Sequence, residues 1–160
     1  MKQLKGANGN YLTEGLFIET ARDPSYAVYT LKYEDKGKYK SAYKIYMESV
    51  DEYEAAMKLV GNMDHWKKLC SLKWFVEGRP EVGHMGLNAW REHMTLRDES
   101  MAKKILMEKA QQGDTAAAKK LLDVAKQEKK IEGKKKKPKE NASGEDLTKV
   151  VKQFKNKWQS

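Results

Sequence analysis

Between Tyr29 and Phe75 the chain reads YTLKYEDKGKYKSAYKIYMESVDEYEAAMKLVGNMDHWKKLCSLKWF. Three short helical patterns follow one another here, separated by punctuation that keeps them from fusing. Ser41 to Ser49 carries a broad apolar face of Tyr43, Ile45, Tyr46 and Met47, with Tyr39 adjoining it. Asp51 is placed to cap the next helix, and Glu52 and Glu54 suit its first turn, where the helix dipole favours negative charge. That second helix presents Tyr53, Ala56, Met57 and Val60. Gly61-Asn62 ends it, glycine being the usual left-handed C-cap. Asp64 is then expected to cap a third helix reaching about Val76, with Trp66, Leu69, Cys70 and Trp74 facing inward. The segment is thereby confined to a small unit of packed helices, the last of them basic.

Such a unit is a helix-turn-helix candidate, with the Gly61-Asn62-Met63 turn presenting the third helix for recognition. The exposed side of that helix is expected to carry His65, Lys67, Lys68 and Ser71, with Lys73 near its end. Lysines there neutralise phosphates and set register, and base discrimination falls to the few groups able to read base edges. The turn departs from the usual motif, because Gly61 is not where a helix-turn-helix glycine stands relative to Ala55 and Ala56. An ordinary three-helix bundle with a solvated lysine face is the competing reading. The aromatics Tyr39, Tyr43, Tyr46, Tyr53, Trp66 and Trp74 recur at helical spacing and read as core rather than as a base-stacking platform.

Upstream, MKQLKGANGN has little to bury and opens without an apolar stretch, so neither order nor a signal peptide is expected there. Tyr11 to Thr20 fits a short helix showing Leu12, Leu16 and Phe17, and Asp23-Pro24-Ser25 is a turn. Tyr26 to Tyr33 has extended character but no evident partner strand, and reads as an arm. Downstream, Gly78, Arg79-Pro80 and Gly83 mark a linker. A long helix, about Leu87 to Ala110, follows. Leu87, Trp90, Met94, Met101 and Ile105 form its apolar stripe, interrupted by Arg97. Gly113 stops it, and Asp114 restarts a helix from Thr115 to about Gln127, rich in alanine and bearing Leu121, Leu122 and Val124. The two form a helical hairpin whose stripe is too narrow to fold well alone. Packing against copies of itself would cover that stripe, as an intramolecular cap on the three-helix unit also would. Arg97 fits the first arrangement if it pairs with Glu99 or Glu108 of a neighbour.

From Lys129 the composition turns to KKIEGKKKKPKENASGED, the signature of a disordered linker. Beyond it Leu147, Val150, Val151, Phe154 and Trp158 recur as one face of an amphipathic helix, which a flexible tether suits for docking on a partner. The expected plan is all-α. Residues 1–80 form a helix-turn-helix domain with an extended arm, 84–128 a hairpin for oligomerisation, and 129–160 a Lys-rich linker with a docking helix.

The formal net charge of +9 favours polyanions, nucleic acid before acidic membrane. The single Cys70 excludes an internal disulfide framework and fits a reducing compartment. No run approaches the length of a membrane span. His65, His84 and His93 lack metal-ligand spacing with one another or with Cys70, no phosphate-cradling loop precedes Gly133-Lys134, and no nucleophile–base arrangement can be assembled. Neither enzyme chemistry nor a cofactor is therefore expected.

The wording of the chain is also similar to a known family. Leu31-Lys32-Tyr33-Glu34-Asp35, Tyr43-Lys44-Ile45-Tyr46-Met47-Glu48, His65-Trp66, Trp74, Trp90-Arg91, Leu96-Arg97 and the Gly113-Asp114 to Ala117-Ala118-Lys119 restart together resemble the small terminase subunit of tailed double-stranded DNA bacteriophages. The likeness spans about Leu31 to Leu122 and leaves out the Lys-rich tail. It implies an N-terminal DNA-binding domain, a central helical hairpin that assembles subunits into a ring, and a C-terminal segment that engages the large terminase subunit or the portal. It also implies a protein without catalysis of its own, acting in the host cytoplasm to select viral DNA for packaging. A dimeric helix-turn-helix transcription regulator and a lysine-solubilised adaptor are the competing functions.

Overall fold

A computed structural model describes residues 4–136. The chain divides into two units, Met1–Ser100 and Met101–Ser160. The described residues are mostly helical, with α1 (Ala42–Glu48), α2 (Glu52–Val60), α3 (Met63–Cys70), α4 (Lys73–Glu77), α5 (Leu87–Gln111) and α6 (Thr115–Lys136). Short 3-10 turns stand at Glu14–Leu16, Pro24–Tyr26 and Pro80–Val82. No helix among the described residues is long and apolar enough to cross a membrane.

In the first unit the helix boundaries follow side chains that satisfy the free backbone groups of helix ends. Ser41 caps α1 by accepting from the Lys44 N–H, and Asp51 caps α2 by accepting from the Glu54 N–H. Gly61 closes α2 in the left-handed region, at φ 66°, where a β-carbon is disfavoured. The cap of α3 is Asn62 rather than the expected Asp64: its side-chain oxygen accepts from the Asp64 and His65 N–H groups, so the helix starts earlier than expected. The expected continuous helix to Val76 is broken. Ser71 turns its hydroxyl onto the Lys68 carbonyl, Leu72 is extended, and α4 restarts at Lys73. Upstream, only Glu14–Leu16 of the expected Tyr11–Thr20 helix forms, as a 3-10 turn.

The extended segment does find a partner. β1 (Tyr29–Thr30) pairs in parallel with β2 (Lys40–Ser41), and Phe17 bridges to Tyr29 on the other side. Two-residue strands are below what a sequence pattern can register. Here side chains reinforce the pairing: Glu19 accepts from the Leu31 N–H and the Thr30 hydroxyl.

The core of this unit gathers Leu16, Phe17, Leu31, Tyr46, Ala55, Ala56, Leu59, Trp66, Leu69 and Phe75 with Leu87, Trp90 and Met94 of α5. The inward arc of α2 runs through Ala55, Ala56, Leu59 and Val60, which leaves Tyr53 exposed, contrary to the expected face. Leu87, Trp90 and Met94 are buried within this same unit, so they do not belong to an exposed oligomerisation stripe. The guanidinium of Arg97 likewise stays within the chain, donating to the Met47, Ser49 and Val50 carbonyls at the end of α1 and to Asp98. Met47 stands in the last turn of α1, where carbonyls lose their intrahelical partners, and Ser49 and Val50 follow directly after it. Within the single chain the arginine therefore caps the end of α1.

In the second unit Gly113 (φ 93°) breaks the helix, and Asp114 starts α6 by accepting from the Ala116 and Ala117 N–H groups. Lys103 of α5 reaches Glu128 of α6 at 3.1 Å. Ala117 is buried, and Leu106, Ala110, Ala118, Leu121 and Val124 are half-buried, whereas Met101, Ile105, Met107, Leu122 and Ile131 are exposed. The helix also continues to Lys136, through the start of the expected linker. Low apolar content argues against a core but not against a helix, since lysine and glutamate are good helix formers. The rest of the Lys-rich run and the docking face of Leu147, Val150, Val151, Phe154 and Trp158 lie outside the described residues.

Candidate nucleic-acid interface

The position of α3 is set by one carboxylate. Glu52 accepts from the Arg91 guanidinium in bidentate fashion, at 2.7 and 2.8 Å, from the Trp66 indole N–H at 3.0 Å and from the Tyr46 hydroxyl at 3.1 Å. One side chain thus ties together α1, α2, α3 and α5. Bidentate Arg–carboxylate pairs fix orientation as well as adding energy. Arg91 holds the Glu52 carboxyl below the usual carboxylate range, against the opposing effect of its partial burial. Burial, followed by the charge of Glu52, pushes the Tyr46 hydroxyl upward.

With Trp66 anchored to Glu52 and Leu69 in the core, the opposite side of α3 is turned to solvent. Lys67, Lys68 and Ser71 are exposed there, and Lys73 is exposed at the start of α4. Lys67 and Lys68 stand in the last turn of α3, and neither is paired with a carboxylate among the described residues. Lys73 is partly compensated by Glu77 at 3.7 Å. The Ser71 hydroxyl is engaged by the Lys68 carbonyl.

His65 is not on this face. It is fully buried, its ring stacks on Tyr11 at 4.6 Å, and Nε2–H donates to the Leu12 carbonyl. Its periodic position matched an exposed face, but an N-terminal segment far earlier in the chain folds over it. Nothing in the sequence marks the role of His84. That residue is buried, donates from Nε2 to the Phe75 carbonyl at 3.0 Å and accepts at Nδ1 from the Gly86 N–H at 3.4 Å. This pattern requires a neutral imidazole. Burial pushes both histidines below the ordinary imidazole value.

A pH dependence follows. Below about pH 6.5 the unfolded chain takes up protons on His65 and His84 that the folded chain refuses, so acid favours unfolding. Below about pH 4.3 Glu52 adds to this, because its pairing with Arg91 contributes stability only while it is ionised. Circular dichroism melts should therefore show a midpoint that falls steadily from about pH 7 to about pH 5 and more steeply below. A midpoint unchanged over the first interval would contradict the neutral buried imidazoles.

No family model, no curated protein and no solved structure matches this chain.

Proposed function

We propose that this chain is a small terminase subunit: a non-catalytic protein that grips viral double-stranded DNA for packaging, assembles into a homo-oligomeric ring and recruits the large terminase subunit. The observation that carries the reading is the two-sidedness of α3. Its inner side is fixed by the Glu52–Trp66–Arg91 node, and its outer side offers Lys67 and Lys68 without a carboxylate partner among the described residues. α2, the Gly61-Asn62 turn and α3 serve as the helix-turn-helix, with α3 placed against the duplex.

One such grip is weak and reads little sequence. Several held together raise the local concentration of grips, so avidity compensates for poor individual readout. The exposed apolar residues of the second unit, Met101, Ile105 and Leu122 among them, are what copies of the chain would cover on assembly. Bending of the duplex by the assembly supplies further selection.

The test is Lys67→Ala/Lys68→Ala in the full chain, titrated against labelled duplex over a salt series. Both residues are exposed, so the fold should be retained. The substitution should flatten the salt dependence by about one unit of slope for each lysine that meets a phosphate, with weaker binding at every salt concentration. Parent-like affinity and slope would show that α3 does not face DNA.

A further inference from the structure

The loop from Lys32 to Lys40 lies outside the expected recognition surface, yet its backbone is closely fixed. Lys36 and Tyr39 exchange backbone hydrogen bonds at 2.9 and 3.0 Å, closing a tight turn over Gly37 and Lys38. Gly37 stands at φ +58°, the left-handed conformation that glycine adopts without steric cost. Lys38 Nζ lies 5.2 Å from the centre of the Tyr39 ring, a cation–π contact. The base of the turn is fixed to the first unit through β2 and through the Ser41 hydroxyl, which donates to the Lys32 carbonyl at 2.6 Å.

The charges of the loop are sorted. Asp35 is occupied at the base by the Ser41 N–H and by Lys40, both at 2.9 Å, and hydrogen bonding by these two groups lowers its pKa. Glu34 is occupied by Lys44 at 3.0 Å. The two carboxylates that would otherwise neutralise the tip are thus bound to other cations. Lys36 and Lys38 are exposed, and neither is paired with a carboxylate among the described residues. A solubilising loop needs neither a closed turn nor committed acids, whereas a phosphate contact benefits from both. A fixed backbone reduces the entropy cost of binding, and ammonium groups not held by carboxylates displace condensed counterions from phosphates.

The geometry points to a second nucleic-acid contact, made by Lys36 and Lys38 at this turn with the phosphate backbone of double-stranded DNA; the inference rests on the DNA-binding reading above. Lys36 and Lys38 add affinity without sequence readout, since phosphate contacts position a protein and base contacts specify the site.

The test uses the full chain, Lys36→Gln/Lys38→Gln and the charge-retaining Lys36→Arg/Lys38→Arg, each titrated by anisotropy against labelled duplex over a salt series. The glutamine variant should keep the parent melting midpoint, and its salt slope should be shallower by about 0.9 for each phosphate no longer neutralised. The arginine variant should restore the slope. If the parent binds duplex and the glutamine variant matches it, the turn makes no contact and this inference falls while the α3 reading stands. If the parent ignores duplex, both fall. If the parent binds vesicles containing phosphatidylserine but not duplex, the loop is a membrane contact and the inference is overturned.

Discussion

Trp90→Ala is expected to lower the thermal midpoint of the first unit by on the order of 20 °C. Trp90 is fully buried, and its ring stands 5.5–6.0 Å from those of His84, Tyr46, Phe75 and Tyr43. Truncating a buried Trp or Phe to Ala typically costs about 3–5 kcal/mol, transfer and cavity together. Domains of this size have only about 5–15 kcal/mol of net stability, and each kcal/mol shifts their midpoint by roughly 4–8 °C. The Trp90 indole N–H meets no acceptor among the described residues. Packing rather than a hydrogen bond therefore holds the ring, and Trp90→Phe should retain most of the stability. Differential scanning calorimetry measures both variants. A midpoint within a few degrees of the parent for Trp90→Ala would mean that α5 does not seal this core. Duplex binding should fall together with the fold, because the same core holds α3.

Ile105→Glu/Leu122→Glu is the counterpart on the second unit, with the opposite signature. The two side chains are 51% and 63% exposed in the single chain, so charge there costs the isolated fold little. In an assembly that covers them, each glutamate would be a buried unpaired charge, which is strongly unfavourable. The variant should keep its helical signal, run as a single chain of 18.4 kDa, and bind long duplex more weakly by roughly 10²–10⁴-fold as avidity disappears. An unchanged oligomer would move the interface away from Ile105 and Leu122.

What was legible in the sequence was local. The Asp51 cap, the Gly61 stop and the Gly113-Asp114 restart each act within a few residues, and each is found at the expected position. Legibility failed wherever a distant segment decided the outcome. A helical stripe shows that Leu87, Trp90 and Met94 need covering, but not that the first unit covers them. The periodicity of α3 placed His65 outside because nothing near it in the chain announces the Leu12 carbonyl. Arg97 looked like a flaw in a stripe because its partners are backbone carbonyls, which leave no trace in side-chain patterns. The Glu52 node spans 39 residues between Glu52 and Arg91, and no spacing rule connects them. Its one sequence signal, an acidic residue in the first turn of α2, has a sufficient local explanation in the helix dipole.

On the proposed function, weak cationic grips become a selective holder of viral DNA only when many copies of the chain are joined. Light scattering coupled to size-exclusion chromatography of the full chain tests it most directly. The expected result is a homogeneous species whose mass is a multiple of 18.4 kDa well above the dimer. A mass corresponding to one or two chains would contradict it.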